Sequence, residues 1–165
     1  GLTDVYNHRH INEMLDEEIP KAKVDYSDLS LIFLDVDNFK VFNDVNGHQA
    51  GDVLLRELSG LLQESVRKKD VVARWGGEEF VVMCPHTAEP VAARLAEELR
   101  RTVAEHKFSG AESQPNKKVT ISAGVATLFK FNDKRSLVQA ADDALYEAKR
   151  AGRNTIRVAN HETSR

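Results

Sequence analysis

The chain has 165 residues, enough for one domain with a real core, and 41% of them are apolar. Its 23 Lys and Arg against 26 Asp and Glu leave a formal charge of −3, which argues against the basic surface that non-specific nucleic-acid binding needs. The single Cys, Cys84, excludes an internal disulfide, and no apolar run reaches the roughly 20 residues of a membrane helix.

In chain order, residues 7–23 are expected to form a helix with Ile11, Leu15 and Ile19 on one face, Pro20 being a candidate for an early end. Residues 29–37 ("LSLIFLDVD") form an apolar run ending in acids, the pattern of a central strand. Residues 39–47 read as a short helix closed by Gly47. Residues 50–69 read as a longer one, with Val53, Leu54, Leu58, Leu61 and Leu62 at helical spacing. "VVARW" and "EFVVMC" are two strands joined by the Gly76-Gly77 turn, since glycine supplies the positive φ of a tight hairpin. Cys84 in the second of them is expected to be a buried small hydrophobe of a cytoplasmic protein. An amphipathic helix over 88–106, a polar loop over 109–118, a strand over 119–128, a helix over 136–152 and a last strand over 154–159 complete the chain. The expected fold is α/β, a central and mainly antiparallel sheet flanked by helices on both faces.

Chemistry concentrates at two places. Asp35 and Asp37 close the most apolar strand, and side chains two apart on a strand share a face. Asp37 is placed to cap the helix at 39–47; Asp35 lies deeper and has no such role. Glu78 and Glu79 follow the double glycine. Charges that blunt a sheet edge would account for them. So would a carboxylate site: if the hairpin pairs beside 29–37, Glu78 and Glu79 reach the edge of Asp35, and the three carboxylates repel and call for a cation. Hard oxygen ligands select Mg²⁺ or Mn²⁺ rather than zinc.

Four blocks, "LTDVYNHRH", "DVDNFKVFNDVNGHQAGD", "RWGGEEF" and "LYEAKRAGRN", occur in this order from about Leu2 to about Val158. Together they resemble the GGDEF domain of diguanylate cyclases. The resemblance implies a nucleotidyl-cyclase or polymerase-palm-like fold in a single catalytic domain over residues 1–165. With Gly rather than Met at the start, the chain is expected to be excised from a longer multidomain protein. It implies condensation of two GTP into cyclic di-GMP with release of two pyrophosphates, Mg²⁺-dependent (or Mn²⁺-dependent), in a two-fold homodimer. By resemblance Asp35, Val36 (through its carbonyl), Glu78 and Glu79 hold the metal. Glu78, Glu79, Asp35 and Lys40 are the catalytic set, and Asn38, Phe39, Lys40, Asn43, His48, Asp52, Lys149 and Arg153 bind substrate. Within that set the helix starting near Asn38-Phe39 offers N–H groups to phosphate. Lys149 and Arg153, one helical turn apart, can reach one anion; taken alone the pair is better explained by the helix dipole, and beside "GGEEF" by phosphate contact. Asn43 and Asp52 fall at the guanine-contacting positions. Arg67 and Asp70 match the family's Arg-x-x-Asp product-inhibition site, whose supporting arginine falls near Glu98 here. Trp75 stands where Tyr is usual and Asp4 where Gly is commoner. The alternative reading is a non-catalytic module that binds cyclic di-GMP or GTP as a signal. Neither reading brings in nucleic acid or a membrane contact of this domain.

Overall fold

Strand β1 (Leu29–Val36) is buried along its whole length, which is why its sequence is apolar without alternation. In the computed structural model, which describes residues 3–128 and 133–159, it is the middle strand of a five-stranded sheet ordered β2-β3-β1-β4-β5. The others are β2 (Val71–Gly76), β3 (Glu79–Pro85), β4 (Ile121–Thr127) and β5 (Ile156–Val158). All neighbouring pairs are antiparallel except β4 and β5, in agreement with the expected palm-like architecture.

The pleat of β1 sorts its side chains between two cores. Ile32, Leu34 and Val36 pack with Leu54, Leu58 and Leu62 of α3 (His48–Ser65) and with Leu95 and Leu99 of α4 (Glu89–Glu105). Leu29, Leu31 and Phe33 pack on the opposite face with Ile11, Leu15 and Ile19 of α1 (His8–Asp25) and with Leu137, Ala141 and Leu145 of α5 (Lys134–Arg150). Asp35 continues the second series, so its carboxylate belongs to the α5 face. Helix α5 lies hard against β4 at Gly124: a Cβ there would stand 2.2 Å from the Leu145 nitrogen and 2.3 Å from the Ala141 oxygen. That close approach fixes the height of the helix that ends in Lys149 and Arg150.

Helix α2 (Phe39–Asn46) meets α3 through the single residue Gly47, at φ 91°. The chain enters the fold beside the hairpin, where Tyr6 makes a parallel bridge to Ala73 and accepts a 2.8 Å hydrogen bond from the Arg74 N–H.

The elements depart from expectation in four places. Helix α1 continues past Pro20 to Asp25, because Pro20 lies on the exposed side where the carbonyl it leaves unbonded can meet water. Helix α3 starts at His48 and stops at Ser65, since Val66 turns extended and Arg67–Asp70 closes a turn. Val53, expected on its apolar face, is 50% exposed, and Leu55, outside the expected set, faces inward beside Leu54. The loop at 109–118 carries two short 3-10 turns and packs on α2, with the Asn46 amide donating to Ser113 Oγ at 3.0 Å.

Candidate active site

The candidate site forms where β1 and the hairpin end together. Glu79 is the register partner of Asp35, and the Val36 N–H approaches the Glu78 carbonyl at 3.4 Å. The turn before them is held from within: Gly77 takes φ 49°, and Arg74 Nε donates to its carbonyl at 2.9 Å. The pairing of the two acid stretches follows from the antiparallel register of β1 with β3.

Asp35 is 3% exposed, and burial pushes its carboxyl up to about 6, with Glu78 and Glu79 adding to the effect and Lys149 opposing it. Glu79 is also raised, by burial first. The Lys149 ammonium lies 2.5 Å from Asp35 Oδ2, so the buried carboxylate already selects a cation. The expectation of three carboxylates closing on one point needs correction. Among the described residues no three His, Cys, Asp or Glu side chains form a group that could hold a metal. The acids are electrostatic neighbours, and a lone pair of Asp35 is spent on Lys149. Few carboxylates and an adjacent backbone carbonyl at Val36 are a donor set that fits Mg²⁺, which keeps water and takes phosphate oxygens. They do not fit a closed tetrahedral zinc site.

Asp37 does not cap α2, contrary to expectation. The N-cap is Asn38, at φ 56° and with no side-chain cap. Asp37 points away from the helix start and accepts from Thr120 Oγ1 at 2.8 Å and Ser122 Oγ at 2.6 Å instead. The first N–H groups of α2, at Phe39 and Lys40, are therefore left without a side-chain acceptor, which is what an anion site at a helix start requires. Lys40 is exposed beside them. The Asn38 carbonyl is braced by Gln114 Nε2 at 3.4 Å.

Asn43, Asp52 and His48 gather at the corner of α2 and α3. Asn43 Oδ1 is buried without a hydrogen-bond partner, a state that costs about 1–3 kcal/mol unless a ligand supplies a donor. It occupies the space a Cβ of Gly51 would take, 1.8 Å away, so the glycine before Asp52 is what admits Asn43. Asp52 and His48 are exposed. Lys149 is in the last turn of α5, whereas Arg153 lies three residues beyond the helix end at φ 64°, so the two are not one helical turn apart as expected.

Arg67 and Asp70 pair with each other, through Nε at 2.8 Å and Nη2 at 2.8 Å. Nη2 also donates to Thr87 Oγ1 at 2.7 Å. They precede β2, whose six residues separate them from the hairpin tip by about 20 Å. Glu98 is exposed on α4. Sequence reasoning missed Gln114 and the true partners of Asp37; the alternation Thr120-x-Ser122 opposite a second strand-end acid was the available signal.

A family model described as "Diguanylate cyclase, GGDEF domain" matches residues 1–155. The chain belongs to the GGDEF family of diguanylate cyclase domains. Among relatives, it is 42% identical to the diguanylate cyclase DgcP of Pseudomonas aeruginosa over 96% of this chain and 23% of that protein. The GGDEF domain of DgcB from Caulobacter crescentus, solved in complex with c-di-GMP, superposes with a TM-score of 0.88 at 33% identity, covering 96% of this chain and 94% of that one. The active GGEEF domain of a diguanylate cyclase from Vibrio cholerae gives 0.87 at 34% identity, covering 95% and 99%. This GGDEF domain spans about a third or less of the length of the curated relatives it matches.

Proposed function

We propose that this GGDEF domain is the catalytic part of a longer protein and condenses two GTP into cyclic di-GMP with release of two pyrophosphates. The carrying observation is the buried Asp35 carboxylate at the end of β1, opposite Glu79 and already engaged by a cation. In this reading Asp35, Glu78 and the Val36 carbonyl hold Mg²⁺ (or Mn²⁺), with Glu79 beside them. The ion, when bound, supplies positive charge for the triphosphate and lowers the pKa of a bound hydroxyl. The α2 N–H groups and Lys40 orient the phosphates. Lys149 and Arg153 would offer their charges to the phosphate oxygens. Asn43 and Asp52 read the guanine edge: the orphaned Asn43 oxygen and the Asp52 carboxylate are acceptors for its adjacent N–H donors, and adenine would leave them unmatched. His48 lies near the base at the start of α3. Glu79, its carboxyl raised by burial, is placed to take a proton from the attacking hydroxyl.

One such site holds one GTP, and the product needs two in opposite orientation, so the active species is a two-fold dimer. Arg67 and Asp70 form a second, inhibitory site for the cyclic product. No described helix is long and apolar enough to cross a membrane; a cytoplasmic place for the domain follows from the cyclase reading, whose GTP substrate is found there.

The test is chromatography of GTP incubated with the domain fused to a dimeric coiled coil, with and without Mg²⁺. Cyclic di-GMP forming only with the metal is expected. Tight binding of cyclic di-GMP with no turnover would replace the enzyme by a sensing module.

A further inference from the structure

The two acids leaving β1 hold the end of α5 by different means. Asp35 takes the tip of a side chain, the Lys149 ammonium. Asp37, 3% exposed, takes uncharged donors. Its Oδ1 accepts from Ser122 Oγ at 2.6 Å. Its Oδ2 accepts from Thr120 Oγ1 at 2.8 Å and from the backbone N–H of Asn154 at 2.9 Å. Its own N–H donates to the Thr120 carbonyl at 2.9 Å.

The segment that supplies the Asn154 N–H has an unfavourable backbone. Gly152, Arg153 and Asn154 follow one another at φ 111°, 64° and 48°. Glycine adopts such angles freely, and Asn tolerates them, but an Arg there is uncommon. The closing bonds of α5, from Gly152 to Lys149 and from Arg153 to Ala148, stop at Arg153. Beyond it the Thr155 carbonyl accepts from the Ala123 N–H at 3.0 Å, and Asn154 before it is gripped from two sides. Asp37 holds the N–H, and Arg100 of α4 donates to the side-chain oxygen at 2.8 Å.

We propose that Asp37 is a positioning residue for the triphosphate: by holding the Asn154 N–H it fixes the left-handed backbone of Arg153 and so the place from which that guanidinium reaches phosphate. The inference rests on the cyclase reading, in which Arg153 contacts phosphate. A carboxylate suits the position because three donors converge on it. An amide has one acceptor oxygen, and its NH₂ would face at least one donor. The hydroxyls of Thr120 and Ser122 can rotate to accept, so an amide could keep its one oxygen on the Asn154 N–H; removing both oxygens, as in Asp37→Ala, frees it.

The test uses Asp37→Ala, Arg153→Ala and the double variant in the dimeric fusion. Loss of one charge-assisted contact predicts that KM for GTP rises about tenfold in each single variant while kcat stays within about threefold. The double variant is expected to be no worse than Arg153→Ala, because both changes remove the same contact. Amide hydrogen exchange at Asn154 should speed up in Asp37→Ala and stay at the wild-type rate in Arg153→Ala. Asn154→Pro, at an exposed residue, removes the N–H that Asp37 holds without touching the buried acid. It should raise KM in the same direction even if Asp37→Ala fails to fold. An additive double variant, a fall in kcat at unchanged KM, or an unchanged KM in a folded Asp37→Ala or in Asn154→Pro each overturns the proposal. A wild-type domain that neither binds nor converts GTP overturns the cyclase reading and this inference with it, whereas a turning-over wild type beside a silent variant sinks this inference alone.

Discussion

Asp35 is where burial and charge oppose each other most directly. Its carboxyl is raised from 3.8 to about 6. A raised acid favours the folded state when neutral: that contribution is complete below pH 3.8 and lost as pH rises through about 6. The shift corresponds to about 3 kcal/mol. With a chelator present, Asp35→Asn is therefore expected to melt higher than wild type at pH 7.5 and to converge with it near pH 4, in thermal scans at the two pH values. The same variant should form no cyclic di-GMP, because the amide carries no negative charge to offer a cation. A wild type that melts as high as Asp35→Asn at pH 7.5 would contradict the burial argument. Cys84 is a second check: burial pushes its thiol up to about 12, so a thiol reagent at pH 8 should label it only when the protein unfolds. Asp35 was legible in the sequence, because an acid deep in an apolar strand has no ordinary explanation. Asp37 was misread, because its partners Thr120, Ser122 and Asn154 lie 83 to 117 residues away and a local capping role competed for it.

At the level of elements, patterns that depend on near neighbours were the readable ones. The hairpin, the buried central strand and the amphipathic helices all follow from local periodicity and turn chemistry. Boundaries set by tertiary contact were not readable, such as the rotation of α3 that exposes Val53 or the survival of α1 through Pro20. Two glycines show how an element's position matters to the site. Gly124→Ala would drive a Cβ into backbone atoms of α5, so the helix must move and Lys149 with it. A loss of roughly 1–3 kcal/mol is expected, as for other overpacked contacts, read as a lower denaturant midpoint together with reduced cyclase activity. Gly60, inside α3, has nothing within 4 Å. Gly60→Ala should stabilise by about 0.5–1 kcal/mol with activity unchanged. If both substitutions behave alike, the close approach of α5 is not what the helix position depends on.

Across the whole molecule, the hairpin joins the two proposed ligand sites: Arg67 and Asp70 stand before β2, and Glu78 and Glu79 follow its turn. Arg67→Ala is expected to raise the cyclic di-GMP concentration needed for half-inhibition by at least about tenfold, in line with the loss of a forked guanidinium contact. It should also lower stability by about 3 kcal/mol, because the fully buried Asp70 side chain would lose its counter-charge. Inhibition assays and melting curves on one preparation separate the two effects; unchanged inhibition would remove the second site. The amino end reaches the sheet through one bridge, Tyr6 to Ala73, with the Arg74 N–H bonded to the Tyr6 carbonyl and the Arg74 side chain bonded to Gly77. A mechanical load applied at that end is thus borne first by the residue that braces the double-glycine turn. Twist or tension there reaches the glutamates within a handful of covalent and hydrogen bonds.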